Sequence, residues 1–94
     1  SRSKLHMSRV RSFPCLICRT TIVDAHHLTF AQPKSLAMKV DDKYTVPLCR
    51  THHMELHANG DERLWWDLQG VDPEEFLRER FGISLPVRIP TDGD

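Results

Sequence analysis

The chain has 94 residues with 13 acidic and 13 basic side chains, and its sequence pI is near 7.0. This length predicts a single domain, and the balanced charge argues against a strongly basic nucleic-acid binder, although bound divalent metals would add positive charge. No run approaches the roughly 20 apolar residues of a membrane helix. No signal peptide is recognisable either, so we expect a cytoplasmic protein without membrane contact.

The chain divides into three predicted parts. Residues 1–6 are interpreted as a cloning remnant, because His6-Met7 is what a common restriction site encodes, and they are left out of the predicted fold. Residues 13–82 form the predicted domain, and residues 83–94 form an extended tail. On this interpretation His6 is the one histidine among six without a role.

The first half of the chain predicts two short strands. Residues 15–18 are typical of a tight turn that presents two thiolates, and the β-branched residues 21–23 predict a strand that continues through residue 28. Residues 29–42 are long for a structureless loop, so a function or a short helix is expected there. Residues 43–46 predict a second strand that ends before Pro47.

The second half predicts three helices. The first covers residues 50–58 and stops at Asn59-Gly60. Asp61 caps a second helix that runs through Gln69, and Asp72-Pro73 begins a third that runs to about Phe81. Six apolar residues of the last two helices are assigned to a small core: Leu64, Trp65, Leu68, Phe76, Leu77 and Phe81. Trp66 could be exposed for base stacking, but packing is favoured.

Two matched pairs of soft ligands predict a structural zinc. Cys15-x-x-Cys18 and Cys49-x-x-His52 supply the four ligands that a closed tetrahedral zinc site requires. A redox pair would need a βαβ context that is missing, and three cysteines cannot form a closed disulfide framework. Structural zinc contributes an apparent ~10–16 kcal/mol in small peptides, more than a core of this size supplies, so chelation or Cys18→Ser should unfold the domain.

The remaining histidines predict a second metal site. His53 and His57 are four residues apart on a helix and share a face, whereas His52 and His57 do not. His26 is the best third ligand, and three ligands with open positions are typical of a catalytic metal. His27 points to the other side of the strand and is then the candidate general base. Packed or surface histidines remain the plainer alternative.

A metalloprotease is a further alternative for the helix histidines. The sequence His53-Met54-Glu55-Leu56-His57 superficially resembles the zincin helix. That motif has its glutamate directly after the first histidine, and Glu55 lies two residues after it. The protease interpretation is therefore disfavoured.

The combined motifs resemble one known family. They are Cys15-x-x-Cys18, Asp24-Ala25-His26-His27-Leu28, Pro47-Leu48-Cys49-Arg50-Thr51-His52-His53 and Leu56-His57. Together they resemble HNH nucleases of the zinc-knuckle type, and most closely the small HNH proteins of prophages and bacterial genomes. The resemblance covers roughly residues 14–82. It implies an α+β fold: a ββα-metal, treble-clef-like finger with a structural zinc and two additional C-terminal helices.

The resemblance also implies an activity. A family member would cut DNA to 5′-phosphate and 3′-hydroxyl ends, with His26, His53 and His57 holding Mg, Mn, Ni or Zn and His27 activating water. Asp24 is either a carboxylate that orients a ligand or a surface acid. Four basic residues are candidates for phosphate contacts, although solvated surface positions are the plainer interpretation of each. They are Lys34, Lys39, Lys43 and Arg50.

One departure from the family pattern leaves other functions open. The family's middle Asn, which holds the loop that carries the base, lies near position 44, and this chain has Tyr44 there. A non-catalytic zinc-finger module that binds nucleic acid is one alternative. An accessory domain that needs a recombination or phage-packaging protein as its partner is another.

Overall fold

The computed structural model describes residues 2–32 and 39–86. Within them lie four α-helices, two β-strands and one short 3-10 helix. In chain order they are α1 (Lys4–Val10), β1 (Asp24–His27), the 3-10 helix (Thr29–Ala31), β2 (Thr45–Leu48), α2 (Arg50–Asn59), α3 (Glu62–Gln69) and α4 (Pro73–Phe81). The predicted α+β class is therefore confirmed.

The two strands form one antiparallel sheet, and the second strand ends later than predicted. Asp24 pairs with Leu48 and His27 with Thr45. The second strand was predicted to end before Pro47, and this is wrong, because Pro47 lies inside β2 opposite Ala25. A proline is tolerated in an edge strand when its nitrogen faces away from the partner. The carbonyl of Pro47 accepts a hydrogen bond from the Leu16 N–H at 3.1 Å, which ties β2 to the cysteine turn.

The predicted first strand is also too long. The observed strand β1 begins at Asp24. Ile22, which the prediction placed in the strand, is 86% exposed. Residues 21–23 therefore connect the cysteine turn to the sheet rather than extending it. A function or a short helix was expected in residues 29–42, and this segment begins with the short 3-10 helix.

The three predicted helices are confirmed. The Asp61 side chain accepts the Leu64 N–H at the start of α3, and Asp72 does the same for Glu74 at the start of α4. Gly60 ends α2 with a φ of 84°, a left-handed conformation that glycine adopts without strain. Asp61 follows directly as the N-cap of α3, so the two helices are joined by a tight turn.

Helix α1 was not predicted, and leaving residues 1–6 out of the fold is wrong for the described part of that segment. The Ser3 side chain accepts the His6 N–H and begins the helix, and Val10 at its end is fully buried. The His6 ring lies 4.7 Å from the Phe81 ring, so this histidine packs against α4. The origin of residues 1–6 as a cloning remnant stays a prediction.

The core differs from the expected set at two positions, Leu64 and Leu68, and the favoured packing of Trp66 is confirmed. Leu64 and Leu68 are 48% and 68% exposed, so assigning them to the core is wrong. Trp66 is buried, which rules out base stacking by this side chain, and it packs edge-on against Trp65 with ring centroids 5.0 Å apart. Helix α3 therefore turns its tryptophans, not its leucines, toward the core.

The predicted tail begins inside the packed structure. Ile83 and Leu85 are partly buried against the core, whereas residues 87–94 lie outside the described residues. None of the helices in the described part of the chain is long and apolar enough to cross a membrane.

Candidate metal centres

The first cluster joins the cysteine turn to the start of α2. Cys15 and Cys18 lie on the turn, which Arg19 closes with a φ of 69° and a hydrogen bond from its N–H to the Cys15 carbonyl. Cys49 is the N-cap of α2, and His52 follows in the first turn. One ligand atom from each of the four residues lies within 4.8 Å of the others. This group is called the thiolate cluster below.

The thiolate cluster has the chemistry of a metal site. The Cys49 sulfur lies 3.2 Å from Nδ1 of His52 and 3.8 Å from the Cys18 sulfur, and all three cysteines are free. Burial opposes ionisation of Cys15, but the backbone N–H groups of Cys18 and Cys49 outweigh it and lower the pKa of Cys15 to about 6. Burial raises the pKa of Cys49, so the fit rests on the donor set: three sulfurs and one imidazole nitrogen within 4.8 Å of one another suit a tetrahedral metal ion.

The second cluster joins β1 to the middle of α2. His26 of β1 and His53 and His57 of α2 each offer a ring nitrogen within 4.8 Å of the others. Nδ1 of His26 is 3.1 Å from Nε2 of His53. His26 is buried, His53 is half-buried and His57 is exposed, so the group opens to solvent on one side. We call it the histidine cluster.

A buried carboxylate that sequence reasoning missed holds His26. One oxygen of Glu62 lies 2.8 Å from Nε2 of His26 and accepts the Trp66 indole N–H at 2.9 Å. The other oxygen accepts both the backbone N–H and the hydroxyl of Thr29. Burial would raise the pKa of Glu62, but His26 and the other donors outweigh it and lower that pKa to about 2.

A second carboxylate holds His53. An oxygen of Asp24 lies 3.2 Å from Nδ1 of His53 and 3.1 Å from Nε of Arg50. The hydrogen bond to His53, with the charge of Arg50, lowers the pKa of Asp24. The structure therefore brings Asp24 to a histidine of the cluster, one of the two arrangements expected for it.

Together the two carboxylates determine which ring nitrogens remain free for an ion. Glu62 occupies Nε2 of His26, and Asp24 occupies Nδ1 of His53. The nitrogens left over, Nδ1 of His26 and Nε2 of His53, are the two that face each other. Carboxylates on the far nitrogens of metal-binding histidines are a general feature of metal sites.

His27 lies next to this cluster in the chain but has separate contacts. Its Nε2 is 2.8 Å from an oxygen of Asp42, and its side chain is 35% exposed. The hydrogen bond from His27, with those from the Ser3 N–H and Arg2, holds the pKa of Asp42 well below its usual range. Sequence reasoning missed Asp42, since nothing local distinguishes it from Asp41.

The predicted phosphate contacts are only partly described. Lys39 and Lys43 are exposed, and the Lys43 ammonium lies 5.1 Å from the centre of the Tyr44 ring. Arg50 is exposed but already paired with Asp24. Lys34 lies outside the described residues. Tyr44, which the resemblance to HNH nucleases places where they have an Asn, is buried in the core.

The fold and the two clusters define a small α+β domain with two groups of side chains that could each hold a metal ion. The chain belongs to a family described as "Protein of unknown function (DUF968)", whose model matches residues 1–79. It is also 38% identical over 50 residues to "Uncharacterized protein YdfU" of Escherichia coli (strain K12). That match covers 53% of this chain and 14% of the relative, and no solved structure matches.

Proposed function

We propose that this domain is a metal-dependent HNH endonuclease that cleaves DNA to 5′-phosphate and 3′-hydroxyl ends. One observation carries the proposal: β1 and α2 bring three histidine nitrogens within 4.8 Å of one another, and a further histidine, His27, follows His26 on β1. Strand β1, strand β2 and helix α2 then form the ββα-metal unit, and α3 and α4 are the two additional helices.

In this proposal the thiolate cluster holds structural zinc. Three sulfur ligands and one imidazole form a closed four-ligand set, which leaves no position for water or substrate. Cys49 is both a ligand of this set and the N-cap of α2. Zinc at this point stabilises the start of the helix that carries His53 and His57.

The histidine cluster holds the catalytic ion, which could be Mg, Mn, Ni or Zn. Three protein ligands with one open side are typical of a catalytic site. When bound, the divalent ion acts as a Lewis acid that stabilises negative charge on the phosphate and on the leaving 3′ oxygen. Glu62 and Asp24 keep the imidazoles of His26 and His53 turned toward the centre of the cluster.

His27 is the proposed general base. It takes a proton from water as the water oxygen bonds to phosphorus, and the bond from phosphorus to the 3′ oxygen breaks. The 3′ oxygen takes a proton from solvent water to become the hydroxyl, and His27 returns its proton to solvent. A positioned base typically contributes about 10²–10⁴-fold to the rate. Lys39, Lys43 and Arg50, with Lys34, which lies outside the described residues, would contact phosphates and hold the DNA strand without reading its sequence.

A plasmid-cleavage assay with Mg²⁺, Mn²⁺ or Ni²⁺ tests the proposal. Wild type is compared with His27→Ala, and His6→Ala serves as the control because His6 packs on Phe81, outside both clusters. Zinc content and melting temperature are measured first for each protein. Nicking by wild type and His6→Ala but not by His27→Ala supports the proposal, whereas equal silence of all three across metals and DNA forms removes it.

A second candidate is a non-catalytic zinc-finger module, or an accessory domain that acts with a recombination or packaging protein. The equal number of acidic and basic residues favours it, because neutralisation of phosphates drives most non-specific DNA binding. Metal analysis that finds one ion per chain, with the histidine cluster empty, would support this candidate. Two ions per chain and salt-dependent DNA binding would favour the nuclease.

A further inference from the structure

We infer that Asp42 is a positioning residue for His27: it fixes the imidazole with its proton on Nε2 and leaves Nδ1 as the nitrogen that accepts a proton. The inference rests on the proposed function for the role of His27. The contact itself is a property of the fold and can be tested without any cleavage.

Among the described residues, every group that reaches the Asp42 carboxylate is a hydrogen-bond donor. Oδ1 lies 2.8 Å from Nε2 of His27 and 2.8 Å from a guanidinium nitrogen of Arg2, and Oδ2 accepts the Ser3 N–H at 2.7 Å. The carboxylate is almost fully buried, so these donors replace water. An ionised carboxylate only accepts, so Nε2 of His27 has to carry the proton.

A neutral imidazole has one proton, which fixes the role of its other nitrogen. With Nε2 protonated, Nδ1 carries the lone pair. Among the described residues, Nδ1 of His27 has no hydrogen-bond partner, and the side chain is 35% exposed. Nδ1 is thus the nitrogen that would accept a proton from water.

Asp42 is itself held rigidly in place. Its carbonyl oxygen accepts the Thr45 hydroxyl at 2.8 Å, and Thr45 is fully buried and pairs with His27 across the sheet. The backbone of Asp42 is thus bound to Thr45, and its carboxylate contacts His27, the residue that pairs with Thr45 across the sheet. This arrangement restrains the imidazole ring of His27 by hydrogen bonds.

Two substitutions of Asp42 test the inference, with Asp41→Asn as the matched control. Asp42→Ala removes the acceptor. Asp42→Asn cannot satisfy three donors, because its NH₂ group must face either Ser3 or the pair His27 and Arg2. Asp41→Asn removes the same charge one residue earlier, and its amide oxygen can still accept the Lys43 N–H that Asp41 accepts now.

The first readout is the tautomer of His27, taken from its ring ¹⁵N shifts in zinc-loaded protein. We expect a single Nε2–H tautomer in wild type and Asp41→Asn, and a mixture or Nδ1–H in at least one Asp42 variant. The second readout is steady-state DNA cleavage. We expect kcat to fall by about 10²-fold or more with KM unchanged, because the base is misdirected while binding is intact.

The outcomes separate the inference from the proposed function. Folded Asp42→Ala that keeps the Nε2–H tautomer and the wild-type kcat overturns the inference. If Asp42→Ala does not fold, Asp42→Asn decides by the same two readouts. If wild type cleaves no DNA but its tautomer depends on Asp42, the nuclease proposal fails and the positioning contact stands.

Discussion

The two clusters share α2 but are built in different ways. The thiolate cluster is self-contained: its four ligands lie next to each other, and two of them, Cys15 and Cys49, are buried. The histidine cluster depends on outside support, because Glu62 holds His26 and Asp24 holds His53. Its third member, His57, is exposed.

This difference follows from ligand chemistry. Thiolates carry their own negative charge and neutralise a divalent ion without further help. Imidazoles are neutral and can turn over, so nearby carboxylates are needed to orient them and increase their basicity. A closed, charge-rich group suits a structural ion, and an open group with supporting carboxylates suits one that meets a substrate.

The largest effect is expected at the thiolate cluster. Cys18→Ser, or removal of the ion with a chelator, should unfold the domain, because structural zinc contributes an apparent ~10–16 kcal/mol in comparable peptides. Cys18 is exposed, so serine creates no cavity and the loss reports on the metal alone. Circular dichroism and zinc content measure the result. A metal-free protein with an unchanged melting temperature would contradict it.

Loss of a histidine ligand should abolish metal binding at the histidine cluster without unfolding the domain. We expect His57→Ala to lose the second ion and the cleavage activity while keeping zinc and its melting temperature, because His57 is exposed and outside the core. Metal analysis after dialysis against Mn²⁺ or Ni²⁺, alongside thermal melting, measures both. If His57→Ala unfolds like Cys18→Ser, the distinction between a structural and a catalytic cluster is lost.

Substitution of Glu62 should have an intermediate effect on both the stability of the domain and the ion affinity of the histidine cluster. Glu62→Gln places an amide NH₂ among donors from His26, Trp66 and Thr29, which costs about 1–3 kcal/mol of stability for one unsatisfied buried group. Ion affinity at the histidine cluster should fall about 10–100-fold. Calorimetric titration with Mn²⁺ measures the affinity, and an unchanged value would show that His26 is oriented without Glu62.

The smallest effect concerns DNA affinity near each cluster. Arg50, beside the histidine cluster, and Arg19, beside the thiolate cluster, are both exposed. We expect Arg50→Gln to reduce the slope of log affinity against log salt by about 1, because one phosphate contact is lost. Arg19→Gln should leave the slope unchanged. Equal slopes for the two variants would mean that Arg50 does not contact the DNA more than Arg19 does, and would contradict binding beside the histidine cluster.

Sequence patterns predicted what depends on local spacing. The assignment of His52 to one cluster and of His53 and His57 to the other follows from helix geometry, and the structure brings these residues together in that way. The helix starts at Asp61 and Asp72 were also predictable, because capping depends on residues a few positions apart.

Contacts between distant parts of the chain were not predictable. Glu62 has the sequence appearance of an acidic residue in the first turn of a helix, yet its partner His26 is 36 residues earlier. Asp42 reaches back 15 residues to His27 and 39 to Ser3. The core assignment of Leu64 and Leu68 was wrong for a related reason, since hydrophobicity alone does not tell which face of a helix is buried.

The double position of Cys49 has a consequence for the order of events during biosynthesis. Its sulfur accepts the His52 N–H and caps α2, so the helix that carries His53 and His57 begins at a cysteine of the thiolate cluster. On the proposed assignment, an ion bound there would organise the helix on which the second ion depends. Metal loading would then be sequential, and a shortage of zinc would remove the second site as well, whatever the supply of other metals.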